Sequence, residues 1–269
     1  MKIPAALTIA GSDSGGGAGI QADLKTFAAL GVHGTSAITA VTAQNTLGVS
    51  AVHLVPGEVI VAQVRAVVED IGVDAVKVGM LGGAEGARAV ARALEELLPG
   101  VPVVVDPVMV AESGARLLDE SAQRVLVEEI LPRATVTTPN LPEAEVLLGR
   151  RIATREERER AVAELLALGC GAVVLKGGHA GGPAADVFFD GEQLVWLEAE
   201  RVPTGNTHGS GCTFSAAIAA GLAFGLPLLP AVEEAKRFVT GAIANALEIG
   251  HGHGPVNPMW CLQAAAPPE

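Results

Sequence analysis

Basic residues are few in this chain of 269 residues: 18 Lys and Arg face 30 Asp and Glu, a formal net charge of −12, and only five of the cations are Lys. Non-specific attachment to nucleic acid or to an anionic membrane needs a field of Lys and Arg, so this composition excludes both. Cysteine is scarcer still. Cys170, Cys212 and Cys261 are too few and too scattered for a disulfide framework, and neither CxxC spacing nor a nearby His pair suggests zinc. A reducing cytoplasm is the expected compartment. The start, Met1-Lys2-Ile3-Pro4 running into an apolar strand, has no signal-peptide pattern. Aromatics make up 3% of the chain and Tyr is missing altogether, yet 49% of residues are hydrophobic and mean hydropathy is +0.42. That composition excludes disorder and allows a sizeable core.

No charge occurs between Arg201 and Glu233, and residues 213–232 are apolar enough to raise the question of a membrane span. Gly221, Gly225, Pro227 and Pro230 interrupt the stretch, so a buried helix ending near Gly225 is expected instead.

Short β-rich runs alternate with helical patterns along the chain. Strands are expected at residues 6–10, 36–42, 51–55, 75–78, 101–105, 135–137 and 172–175, with a hairpin of 187–189 and 194–197. Helices are expected at 20–30, 58–71, 84–98, 121–131, 143–148, 155–168, 211–224 and 231–247. Val103-Val104-Val105 and Val173-Val174-Leu175 show no alternation, as in strands covered on both faces of a parallel sheet. The expected fold is α/β, a three-layer α/β/α sandwich with a mostly parallel central sheet. No linker or internal repeat divides the chain, so residues 1–269 read as one domain with a frayed tail at 264–269.

In open α/β sheets, ligands sit beyond the carboxyl ends of the strands. The informative polar residues fall there: Gly11-Ser12-Asp13, Gln44-Asn45, Met80, Asp106, Asn140 and Lys176-Gly177-Gly178. Gly17-Ala18-Gly19-Ile20-Gln21-Ala22 fits a permissive dinucleotide pattern, but no Asp or Glu lies between Asp23 and Glu58 to hold a ribose. No Gly-Lys-Ser/Thr follows either, so this is no Walker A loop. A loop that lets backbone approach a ligand, or that closes over a substrate, remains open.

Asn206-Thr207-His208-Gly209-Ser210-Gly211-Cys212-Thr213 precedes a long helix of small apolar residues. Backbone amides at such a turn, with the helix dipole, make an anion hole without any Lys or Arg. Such a hole stabilises charge during phosphoryl transfer. Cys212 stands at the helix start, where a thiol's pKa tends to fall; an inert cysteine in a helix cap is the alternative. Asn140-Leu141-Pro142-Glu143 brings an amide and a carboxylate together, suited to Mg²⁺ held through water, or equally to a plain helix cap. Asp106 at a strand end is a second metal contact on the same reading. Lys176 also ends a strand. His251-Gly252-His253 reads as a solvated loop rather than a metal site.

Together these segments resemble the ribokinase-like superfamily, and within it the hydroxymethylpyrimidine/phosphomethylpyrimidine kinases of thiamin biosynthesis. The residues that carry the resemblance are 10–23, 39–45, 78–81, 106–110, 138–143 and 206–212, in the family's order. The resemblance implies an ATP- and Mg²⁺-dependent phosphotransferase acting on 4-amino-5-hydroxymethyl-2-methylpyrimidine and then on its monophosphate. It implies that Gln44 pairs with the pyrimidine edge, Asp23 holds the hydroxymethyl group, and Gly11 and Met80 line the pocket. Gly209, Ser210, Gly211 and Cys212 become the catalytic anion hole. Where sugar kinases of this fold carry an Asp base this chain has Cys212, whose thiol, at a near-neutral pKa, is expected to assist as proton acceptor, with its backbone N–H mattering at least as much. Lys176 and Asn140 contact ATP, and Asp106 and Glu143 organise Mg²⁺. Residues 108–118, with Gly114, resemble a mobile flap, and a homodimer is implied.

Rival readings are a pyridoxal kinase of the same branch, a dinucleotide-dependent oxidoreductase and a non-catalytic ligand sensor. The last is expected to lack the anion hole or the Asn140/Glu143 pair.

Overall fold

Three valines in a row leave no polar face, and Val103–Val105 accordingly forms a strand, β5, with all three side chains buried. The computed structural model describes residues 2–109, 118–178 and 184–263. Beside β5 lie β4 (Ala75–Val78) on one side and β6 (Val136–Thr137) on the other, both parallel to it. The remaining strands are β1 (Ala5–Asp13), β2 (His33–Asn45), β3 (Gly48–Leu54), β7 (Val173–Leu175), β8 (Ala184–Phe189) and β9 (Leu194–Ala199). They build one nine-stranded sheet in the order β3-β2-β1-β4-β5-β6-β7-β8-β9. Pairing is parallel from β2 through β7 and antiparallel at both edges, in β2–β3, β7–β8 and β8–β9.

Helices cover both faces, as expected from the sequence. On one face α2 (Gly57–Asp70), α3 (Ala84–Leu97), α4 (Glu120–Val125), α5 (Leu141–Leu148) and α6 (Arg155–Leu166) share a core with Leu7, Ile9, Val76 and Val105. On the other, α1 (Gly19–Ala29), α7 (Ser210–Ala223) and α8 (Leu228–Ala244) pack on Ala6, Ala75, Val104 and Val174, with α9 (Trp260–Gln263) against α8. The stretch that raised the membrane question is α7. Phe214, Ser215 and the run from Ala216 to Ala220 are buried, and Gly225 with φ +80° follows its end. Among the described residues no helix is long and apolar enough to cross a membrane.

Several boundaries move for physical reasons. The strands expected at 6–10, 36–42 and 51–55 run longer as β1, β2 and β3, because β2 turns straight back into β3 as an antiparallel edge. The helix expected at 121–131 is α4 followed by a wide π-turn at Leu126–Ile130 and a tight turn at Leu131–Arg133. Pro132 lacks the N–H that a regular helix would need. The short α9 was not foreseen.

Consecutive connections run in opposite directions from β1: β2 lies on one side of it and β4 on the other. The carboxyl ends of β1 and β4 therefore open a switch point, where a parallel sheet offers a crevice.

Candidate functional site

Gly11, in the last turns of β1, and Met80, just past β4, meet at this crevice. A side chain on Gly11 would press on Met80 Sδ, 2.9 Å from the position of its first carbon, and Thr39 Oγ1 donates to the Met80 carbonyl at 2.5 Å. Gln44, near the end of β2, is half-buried there, its Oε1 accepting from Thr42 Oγ1 at 3.1 Å. These three residues share one end of the sheet, as the sequence reading expected.

The second part of the site is the start of α7. Gly209 caps it in the left-handed region, φ +81°, with no side chain capping the helix and no acidic residue in its first turn. A side chain at Gly209 would run into the carbonyl of Gly17, so the two Gly-rich segments cross here in close contact. Ser210 N donates to Thr207 O and Thr213 N to Gly209 O, while the amides of Gly211 and Cys212 have no protein acceptor among the described residues. Two open amides at a helix N-terminus can receive an anion. The missing side chain of Gly211 aims at Lys176 Nζ, 3.2 Å from its first carbon position, and at Asp106 Oδ2, 3.5 Å. Turn, lysine and carboxylate thus converge on one spot.

Lys176 and Asp106 pair at 2.8 Å, with Thr138 Oγ1 at 3.3 Å from the same oxygen and Ser215 Oγ at 3.4 Å from the other. Burial alone would lower Lys176, but Asp106 and Glu143 outweigh it and hold the ammonium charged, above its usual range. Glu143 is buried, and burial pushes its carboxyl up to about 7 against the pull of Lys176.

Three parts of the expected site carry structural contacts of their own. Asn140 and Glu143 form a capping box on α5: Asn140 Oδ1 accepts from Glu143 N at 2.8 Å, and Glu143 Oε2 accepts from Asn140 N at 2.8 Å. Their facing atoms are spent on each other, so the pair is first of all a helix cap. Cys212 is not a thiol of near-neutral pKa. Burial pushes it up to about 11, and the ammonium of Lys77 recovers only part of that. Asp23 has a buried partner of its own, while its Oδ1 has no hydrogen-bond partner among the described residues and its charge is felt by Cys212. It is fully buried on α1, with Oδ2 accepting from Thr8 Oγ1 at 2.6 Å and from Lys77 Nζ at 2.8 Å. Residues 110–117 of the expected flap lie outside the described residues.

Mg²⁺ commonly keeps several waters and binds through one or two carboxylates plus phosphates. Asp106 and Glu143, which feel each other's charge and share Lys176 as counter-ion, fit such a water-rich ion arriving with a nucleotide. They do not fit a resident metal, since no cluster of three His, Cys, Asp or Glu occurs among the described residues.

The sequence pattern gives Lys77 no place in the site, and names Asp13 and His208 only as members of their motifs, without a role. Lys77 interrupts the apolar β4, and its ammonium, fully buried with Asp23, lies among α1, β4 and the first turn of α7. A lysine inside Ala75-Val76-Lys77-Val78 was the available signal. Asp13 accepts the amides of Gly15, Gly17 and Ala18, the groups that a dinucleotide phosphate would need. A built-in carboxylate already fills that nest, which removes the dinucleotide reading. His251 and His253 are exposed loop residues, with His253 Nδ1 3.1 Å from Gly205 O.

Comparison with known proteins points the same way. The family model described as phosphomethylpyrimidine kinase matches residues 13–257. A hydroxymethylpyrimidine/phosphomethylpyrimidine kinase of Rhizobium meliloti (strain 1021) is 56% identical, over 94% of this chain and 96% of its own length. Among solved structures, an ADP complex of Bacillus subtilis pyridoxal kinase superposes with a TM-score of 0.90 at 40% identity, covering 97% of this chain and 99% of that one. A phosphomethylpyrimidine kinase from Clostridium difficile 630 superposes at 0.79 with 43% identity, over 90% of this chain and all of the other.

Proposed function

The chain belongs to the phosphomethylpyrimidine kinase family, and from that premise we propose how its residues carry out the reaction. It is an ATP-using phosphotransferase of thiamin biosynthesis, acting on hydroxymethylpyrimidine and then on phosphomethylpyrimidine. Gly11, Met80 and Gln44 form the pyrimidine side of the crevice, Gln44 offering its carboxamide to the ring edge. The open amides of Gly211 and Cys212 and the ammonium of Lys176 receive the transferring phosphoryl group. Asp106 and Glu143 hold Mg²⁺ through water, and the metal supplies charge neutralisation at the phosphates. Asn140 contacts the nucleotide from the α5 cap.

The observation that carries this reading is the convergence on Gly211 of two open amides, Lys176 and Asp106. Phosphoryl transfer through a loose transition state asks mainly for positioning and charge neutralisation, and this cluster offers both. Asp23, whose Oδ2 pairs with Lys77, has Oδ1 left over to hold the hydroxymethyl group. ADP formation with the pyrimidine alcohol tests the function, with pyridoxal run in parallel. No turnover of the pyrimidine alcohol, or a much higher kcat/KM for pyridoxal, would overturn it.

We propose further that residues 1–269 act as one kinase domain in the cytoplasm and as a homodimer. Support for the dimer comes from the β3 edge strand, where Val52 and Leu54 expose 45 and 52% of their surface on one face. Sedimentation at the single-chain mass of 27.2 kDa would count against it.

A further inference from the structure

Two Gly-rich segments far apart in the sequence meet at one imidazole. Asp13, 3% exposed at the end of β1, accepts the amides of Gly15 at 2.8 Å, Gly17 at 3.1 Å and Ala18 at 2.9 Å. His208 precedes α7, and its Nε2 lies 3.1 Å from Asp13 Oδ2, with 13% of its side chain exposed. The same nitrogen is 3.5 Å from the side-chain nitrogen of Gln44. Ser14 closes the loop from the other side: its hydroxyl donates to Gln44 O at 2.7 Å, and Gln44 N contacts the same oxygen at 2.8 Å. The crossing leaves no room for larger residues. A side chain on Gly17 would strike the His208 ring, and one on Gly209 the Gly17 carbonyl. Behind, the His208 backbone is tied to the chain's later part, its N donating to Gly254 O and its O accepting from Val256 N.

The chemistry of the contact follows from Asp13. Burial alone would raise its carboxyl, but His208 and the loop amides outweigh burial and hold it below the usual range. An ionised carboxylate only accepts, so Nε2 of His208 brings the proton. A nitrogen that donates to Asp13 has no lone pair left for the Gln44 amide. The ring therefore crowds the Gln44 carboxamide into place without consuming its hydrogen-bonding capacity.

We propose that His208 is a positioning residue: by donating from Nε2 to Asp13, it ties loop 14–19 and Gln44 to the turn 209–212. The two halves of the site, pyrimidine-reading and phosphate-receiving, are thereby held at one fixed separation. The roles of those halves rest on the function proposed above. Catalysis is sensitive to such spacing, since a misplacement of about 1 Å can cost about a hundredfold in rate.

The test compares His208→Ala, which removes the donor, with His208→Gln, which returns an N–H on a side chain of similar reach. Steady-state kinetics on both substrates, melting temperature and amide hydrogen exchange of residues 14–19 are measured together. For His208→Ala, kcat/KM for the pyrimidine alcohol is expected to fall roughly thirtyfold or more, with KM for ATP within about threefold of wild type. Exchange at residues 14–19 should quicken about tenfold or more while melting shifts little. His208→Gln should recover most of both losses. The proposal is overturned if Gln is no better than Ala, or if exchange at 14–19 is unchanged. It is also overturned if both KM values rise together in proportion to lost folding stability. A wild-type enzyme that does not turn over the pyrimidine alcohol would sink the function reading instead, and the exchange comparison would still decide the clamp.

Discussion

At Cys212, burial of the thiol favours the backbone over the side chain. A thiol at about 11 is almost fully protonated near neutral pH, with roughly one molecule in ten thousand as thiolate. A standing base of that population contributes little, and loose phosphoryl transfer asks little of a base. The backbone amide of Cys212, by contrast, is open at the helix start and is indifferent to the side chain. Cys212→Ser and Cys212→Ala are therefore expected to keep kcat within about tenfold of wild type, because the anion hole stays intact. Loss of a thousandfold or more in both, with unchanged melting temperature, would restore the thiol as the proton acceptor. Lys77 and Asp23 teach the complementary lesson. The motif assigns Asp23 to the substrate, and the structure adds that one of its oxygens is the counter-ion of a lysine inside a strand. Motif position says which end of the sheet each residue occupies; it does not say that a strand lysine shares the same carboxylate.

At the scale of elements, α7 and α5 start in opposite ways. α5 is capped on itself by Asn140 and Glu143, whereas α7 begins at a left-handed glycine with two amides left open. Small residues made α7 legible as a buried helix, and the strand-end rule placed Gly11, Gln44, Met80, Asp106 and Lys176 together. The capping box was legible too, as the alternative reading of the same four residues. What pattern alone did not supply was the third dimension, where His208 reaches Asp13 across 195 positions. The open start of α7 can be closed by one methyl group. Gly211→Ala places a carbon between Lys176 and Asp106, at a backbone conformation any residue adopts. Alanine is the better helix former by roughly 0.5–1 kcal/mol, so stability should hold or rise while kcat falls about a hundredfold or more. Unchanged activity in a well-folded Gly211→Ala would show that phosphate does not use this spot.

The cap of α5 responds to pH. Glu143 has its carboxyl raised from 4.5 to about 7 in the folded chain, so the native state holds a proton that the unfolded chain gives up earlier. Stability from this group is fully present below about 4.5 and is lost as pH rises through about 7. Glutamine keeps the capping geometry without the charge. Glu143→Gln should therefore be more stable than wild type at pH 8, by about 1–3 kcal/mol, with the advantage gone at pH 5. Urea denaturation at the two pH values measures this; an advantage that does not change between them would mean Glu143 is ionised throughout in the folded protein.

For the whole molecule, the net charge of −12 and the handling of phosphate fit together once the sources of positive potential are located. They are local: two helix-start amides, Lys176 facing Asp106, and Lys77 locked to Asp23. None of them projects a field far into solvent, and the Debye length of about 10 Å at 0.1 M salt screens what remains. A nucleotide approaching from a distance therefore meets an acidic surface and is repelled, until it reaches the crevice and the short-range donors take over. The sign of the salt effect follows. Enzymes that steer anions through basic surfaces lose kcat/KM steeply as salt is added. Here, raising ionic strength from about 0.05 to 0.5 M at saturating Mg²⁺ should leave kcat/KM for ATP unchanged or raise it up to about twofold, because screening removes repulsion rather than attraction. A fall of about threefold or more would reveal a basic approach path that the balance of 18 cations against 30 anions does not suggest.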